Sequence, residues 1–276
     1  MPKLDINVNV SKNVTDLANK PIHNLLDKPT AAIGNGLASI FSLVFAPVEY
    51  LDQKTKLESQ YQIEKKQLYY QQSIEEFKQE LENKVSKIPQ ENLVDPDFHT
   101  AYDALEKSKS CITDAELRKM FVNLISSSMN SSINSSVHPS FASIINQMSV
   151  LDAKILMTFK YNRDQPIIEL REKNLQNGYV TLMTNLFIYT ASDNDKSINI
   201  DIAQIQNSIS SLSRLGLISI DYSQYLVNEQ HYSELEKVAA TVYDKFSIDI
   251  DNRKMQKGVV SLTPLGINFT KVCLPD

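Results

Sequence analysis

The stretch "IAQIQNSISSLSRLGLISI" (Ile202–Ile220) decides how the second half of the chain is read. Ile202, Ile205, Ile209, Leu212 and Leu215 recur at steps of three and four, the spacing of one face of an α-helix. Gly216 follows the last of them, where a helix commonly ends in a left-handed residue, and Leu217-Ile218-Ser219-Ile220 reads as a strand. Downstream, Val259-Val260-Ser261-Leu262 reads as a second strand, and Thr263-Pro264-Leu265-Gly266 opens a terminal helix through Phe269. Helix, glycine, strand, excursion, strand and helix is the order of a winged helix. Here the excursion carries an additional helix from about Tyr232 to Lys245. The two strands are expected to pair antiparallel. Ahead of them, Ser149 is placed to cap an apolar helix from Leu151 to Tyr161, Pro166 to Leu170 is strand-like, and Gly178 to Thr190 fits strand or helix.

The first half reads differently. Residues 1–28 are polar and contain four lysines. An uncharged run of 20 residues, Pro29 to Val48, follows. Within it Ile33, Leu37, Ile40, Phe41 and Val44 form a bulky helical face, and Gly34, Ala38 and Ser42 a ridge of small residues. Twenty residues approach bilayer length, but polar side chains and bracketing prolines dilute the run. It therefore reads as a buried or partner-facing helix, with membrane contact as the alternative. Glu49 to Ile88 lacks both Gly and Pro and has apolar residues at Leu57, Tyr61, Leu68, Ile74, Phe77, Leu81 and Val85. That is one long amphipathic helix, about 60 Å if unbroken. Its charges nearly cancel, and its heptad slips near Glu64 and Gln71, which weakens a coiled-coil reading. Beyond Pro89, a helix from Asp97 to Ser108 carries Phe98, Tyr102 and Leu105 on one face, and a Thr113-x-x-Glu116 capping box would open a helix to Ser128. Ser126 to Ser136 reads as a polar loop, and His138-Pro139-Ser140 starts a short helix.

The fold class is thus mainly α with some β (α+β). It comprises a polar segment (1–28), a helical domain with one long helix (29–148), and a winged-helix-like domain with a small antiparallel sheet (149–276). The whole chain has 276 residues, a net charge of −5 and 42% apolar residues, which excludes global disorder and a generally basic nucleic-acid coat. Cys111 and Cys273 lie too far apart in sequence to suggest a disulfide framework or a CxxC metal motif. With no apolar leader in the first 20 residues, a cytoplasmic place is expected, with peripheral membrane association as an alternative.

No P-loop, GxGxxG, HExxH or GxSxG occurs, so no catalytic residue, metal or cofactor is expected. Asp95, Asp97 and His99 alternate, but they fit the start of a helix better than a metal site. Two surfaces remain. The first is the apolar segment, with Ile33, Gly34, Leu37, Ala38, Ile40, Phe41 and Val44 meeting a protein partner, a second copy or a membrane. The second is a DNA-reading face on the Ile202–Leu215 helix, with Gln204, Asn207, Ser211 and Arg214 outward, beside Gln206 and Ser208. One arginine supplies little phosphate affinity, and residues 151–276 hold 13 basic against 15 acidic side chains. Protein contact or self-association is therefore expected over nucleic acid.

Several stretches together resemble the Abi-alpha family of bacterial abortive-infection proteins. They are "PTAAIGNGLASIFSLVFAPV" (29–48), "ELRKMFVNLISSSMN" (116–130), "HPSFASIINQMSVLDAKIL" (138–156), "SLSRLGLISI" (211–220) and "SLTPLGINF" (261–269). The resemblance implies a part in phage defence, in which an infected cell stops growing or dies before phage matures. It lends no catalytic residues.

Overall fold

A computed structural model describes residues 31–45, 57–160, 162, 164–174, 178–189 and 201–274, excluding the side chains of 31–35 and 57–64. The polar segment 1–28 lies outside the described residues. The remainder falls into two compact units that divide between Asn146 and Gln147.

The first unit is helical: α1 (Ala31–Val44), α2 (Leu57–Val85), α3 (Phe98–Ser108), α4 (Ala115–Ser128) and α5 (Phe141–Gln147), which runs up to the division. Helix α4 is its centre. Every residue from Met120 to Met129 is buried, and α2 and α3 pack along it. Serines survive there because their hydroxyls bond to their own helix: Ser126 Oγ donates to Asn123 O (3.1 Å) and Ser128 Oγ to Ile125 O (2.6 Å). The Ser/Asn tract expected as a loop from Ser126 is therefore helical and buried through Ser128. The expected Thr113–Glu116 box is also absent. Asp114 takes the N-cap position without a side-chain cap bond, while Thr113 O accepts from Tyr69 Oη at 3.3 Å. The long helix contributes Ser73, Phe77, Leu81 and Val85, all buried and four residues apart, whereas Leu68 and Tyr69 stay exposed.

The second unit contains α6 (Val150–Thr158), β1 (Asp164–Lys173), β2 (Tyr179–Leu186), α7 (Ile202–Arg214), β3 (Ile218–Asp221), α8 (Ser233–Lys245), β4 (Arg253–Leu262) and α9 (Pro264–Cys273). The four strands form one antiparallel sheet in the order β2-β1-β4-β3. The expected pairing is present: Ile218 faces Leu262 and Ile220 faces Val260. Gly178–Thr190, open between helix and strand in the sequence, supplies β2. Helix α6 starts at a reciprocal cap: Ser149 Oγ accepts from Asp152 N (3.0 Å), and Asp152 Oδ2 accepts from Ser149 N (2.9 Å).

Two glycines set the joint that closes this unit. Gly216 ends α7 at φ +74°, the left-handed conformation that glycine adopts without strain. Gly266, in the first turn of α9, lies so close to β3 that a Cβ would stand 1.9 Å from Leu217 O. Thr263 fastens the two segments, its Oγ1 donating to Gly216 O (2.6 Å) and accepting from Gly266 N (2.9 Å). The Leu-Gly-Leu and Thr-Pro-Leu-Gly motifs are thus the two halves of one contact.

One face of the sheet is covered by α8. Ile168 and Leu170 of β1 pack with Leu186, Tyr232, Leu235, Ala239, Val242 and Tyr243. Polar groups hold the helix ends to the strands. Tyr232 Oη donates to Gly258 O (2.7 Å) and Tyr243 Oη to Lys254 O (2.7 Å). Lys257 lies over the Tyr232 ring between Glu229 and Glu236, and Arg253 over the Tyr243 ring with Asp244.

Candidate functional site

The apolar segment forms α1, and its bulky face is turned inward. Leu37, Ile40, Phe41 and Val44 are all buried, and the Phe41 and Phe45 rings lie 6.0 and 6.3 Å from that of Phe77. Four large apolar side chains have found the chain's own core, each burial being worth roughly 1.5–3 kcal/mol. Of the alternatives open in the sequence, a buried or a partner-facing helix, Leu37, Ile40, Phe41 and Val44 take the buried one. Ala38 is half-buried, and the side chains of Ile33 and Gly34 lie outside the described residues. The outward line of α1 is instead Gly36, Ser39 and Leu43, with Leu43 64% exposed.

Helix α3 packs on α1. Ala101, Ala104, Leu105 and Ser108 are its buried residues, while Phe98 and Tyr102 lie on the surface with rings stacked at 5.9 Å. Spacing put Phe98, Tyr102 and Leu105 on one face, and of the three only Leu105 reaches the core. The small alanines fill that place because α1 and α4 approach closely.

Between α2 and α4 sits a buried guanidinium. Arg118 is 6% exposed. It pairs with Glu76 (2.8 Å) and Glu80 (3.2 Å), and its Nη1 donates to Ile112 O (3.2 Å). This cluster ties the long helix to the central one. Among the described residues, no group of three or more His, Cys, Asp or Glu is arranged to hold a metal ion.

Helix α7 presents few of the groups expected to read DNA. Ser211 Oγ donates to Asp152 Oδ2 (3.2 Å), Arg214 Nη1 donates to Gln147 Oε1 (3.2 Å), and Gln204 Oε1 accepts from Asp201 N (3.3 Å). Ser208 is buried, and Gln206 donates to Thr184 O of β2. Of the four residues singled out, only Asn207 is exposed without such a tie. The sequence pattern marked the polar face of the helix correctly, but not that neighbouring segments had already claimed it.

The richest polar arrangement is one that sequence reasoning missed, on the sheet face opposite α8. Glu169 of β1 is 8% exposed. Its Oε1 accepts from Arg171 Nε and from Thr181 Oγ1 of β2 (3.2 Å). Arg171 stands across from Lys254 of β4 on one side and Thr181 on the other, and Glu169 stands across from Gln256. Tyr222 reaches over Gly258, where a Cβ would stand 2.6 Å from its ring. The phenol accepts from Asn185 N (3.0 Å) and donates to Asn185 Oδ1 (3.1 Å), at a residue with φ +53°. Burial pushes the Tyr222 phenol above its usual value, and the Glu169 carboxylate adds to that. The available signal was alternation: Glu169-x-Arg171-x-Lys173 and Lys254-x-Gln256 place polar groups on one face of two strands.

A family model described as abortive infection alpha matches residues 69–273. The chain belongs to the abortive infection alpha family. The match takes in the Arg118 cluster, the stacked Phe98 and Tyr102, and the second unit up to Cys273, but begins after α1. No curated protein and no solved structure matches this chain.

Proposed function

We propose that this chain is a non-enzymatic defence protein of the abortive-infection type, acting through contact with a protein partner. The observation that carries the reading is the family match over residues 69–273. The exposed Phe98–Tyr102 stack supplies a contact of suitable chemistry, because aromatic side chains dominate the energetics of protein interfaces. No helix among the described residues is long and apolar enough to cross a membrane. A cytoplasmic place, with membrane association only peripheral, accords with the reading. The second unit is read as winged-helix-like, since α7, β3 and β4 follow in that order with α8 inserted between the strands. Sequence-specific DNA regulation through α7 is disfavoured, because Gln204, Ser211 and Arg214 already serve internal contacts.

The test is a phage challenge of cells carrying the intact gene, beside cells carrying Phe98→Ala/Tyr102→Ala and Leu43→Asp. Protection by the intact gene, lost in the first variant while circular dichroism stays unchanged, is the expected result. No protection against a broad phage panel overturns the defence role. Full protection by the folded double variant removes the aromatic stack as the contact.

A further inference from the structure

Among the described residues, the sheet face opposite α8 carries three cations, Arg171, Lys173 and Lys254, and one carboxylate, Glu169, in a chain whose net charge is −5. Arg171 and Lys173 lie on the same face of β1, two residues and therefore about 7 Å apart. Lys254 lies across from Arg171 on the neighbouring strand, about 5 Å away. Glu172 and Arg253, the intervening residues, belong to the α8 side, where Arg253 meets Tyr243 and Asp244. Lys173 and Lys254 are exposed, and so is Tyr179, 51% open and directly across from Lys173. The chain-wide charge balance that argues against nucleic acid therefore does not describe this face.

Glu169 gives the face its specificity. A buried carboxylate on a sheet surface costs stability unless it is paired and hydrogen-bonded. Here it takes the Nε–H of Arg171 and the hydroxyl of Thr181, so the guanidinium is held through Nε and the pair of Nη groups at its far end is not used by Glu169. An arginine held in this way presents a planar fork matched to a phosphate. Cations repeating at strand spacing suit the successive phosphates of an extended single strand, and an open tyrosine beside them offers a stacking surface for a base.

We propose that this face binds single-stranded nucleic acid, with phosphates on Arg171, Lys173 and Lys254 and a base stacked on Tyr179. Glu169 is a positioning residue that acts through Arg171. The site is independent of the Phe98–Tyr102 contact, so either can fail without the other.

The experiment uses the full chain and a labelled twelve-nucleotide oligo(U), read by fluorescence anisotropy at about 50 and 150 mM salt, with oligo(dT), a twelve-base-pair duplex and polyglutamate as competitors. Binding should weaken with salt at a log–log slope near −2, about −0.7 for each of three phosphates. Lys173→Ala/Lys254→Ala, both exposed positions, should weaken it at least tenfold, and Tyr179→Ala about tenfold. Lys237→Ala, on the outer side of α8, should leave it unchanged. Glu169→Gln discriminates further. Simple charge attraction makes this variant bind more tightly, whereas loss of the fixed arginine makes it bind more weakly, which is the expected result. The proposal is overturned by absence of oligo(U) binding at low salt, by unchanged binding in the double lysine variant, by equal competition from polyglutamate, or by tighter binding of Glu169→Gln. A duplex competing better than oligo(dT) would also sink it.

Discussion

A methyl group added at Gly266 would stand 1.9 Å from Leu217 O, and the obstacle is backbone, which cannot rotate aside. Gly266→Ala is therefore expected to cost at least the 1–3 kcal/mol typical of overpacking, read as a lower urea midpoint at unchanged slope. Arg118 is the corresponding single residue of the helical unit. Arg118→Ala leaves Glu76 and Glu80 facing each other without their cation, and roughly 3 kcal/mol of destabilisation is expected. Arg118→Lys should recover only part of it, because an ammonium lacks the guanidinium's planar fork. Cys111 makes a pH prediction. Burial, with a smaller push from Asp114, raises its thiol to about 11. The folded value lies above the unfolded one, so the stabilising effect is complete below about pH 8.5 and is lost as pH rises through about 11. Stability should fall across that window, and Cys111→Ala should flatten the fall.

At the scale of elements, α1 and α7 show what a sequence pattern can and cannot say. The period of Ile202, Ile205, Ile209 and Leu212 fixed both the helix and its buried side, because a single apolar stripe has one way to be satisfied. In α1 the same rule found the bulky face but not its partner, since a stripe does not state what covers it. Phe77, more than thirty residues away in sequence, supplies the answer. Phe41→Ala should accordingly cost about 3–5 kcal/mol in the thermal unfolding of the helical unit, whereas Leu43→Asp, at an exposed position, should shift it little. In α3 the pattern gave the helix but not its buried side, because alanine carries a weak hydrophobic signal, yet it is the residue that close-packed helices require there. Strand β4 was legible only from Val259. Its first half, Arg253 to Lys257, has Met255 as its one apolar residue and polar groups on both faces, so hydrophobicity alone gave no strand period. The polar face around Arg171 was hidden as well, since Thr181 and Lys254, which stand across from it, come from other strands.

For the molecule as a whole, family membership and the division into two units give separate readouts: a plaque assay for defence, and unfolding experiments for each unit. The sheet order bears on how the second unit comes to exist at all. Strand β1 lies inside the sheet and depends on β4, which begins about eighty residues later, while β3 has only β4 as its neighbour. Folding of this unit has a high contact order and pays loop-closure entropy before the sheet stabilises it, so its refolding should be slow beside that of the helices, by stopped-flow circular dichroism. On the ribosome, β2 follows β1 closely, but β4, the strand on its other side, emerges about eighty residues after β1. A protein synthesised vectorially in this order holds its four-stranded sheet back until Arg253–Leu262 has left the ribosome, and a chain interrupted before Arg253 carries a helical unit without a finished second one.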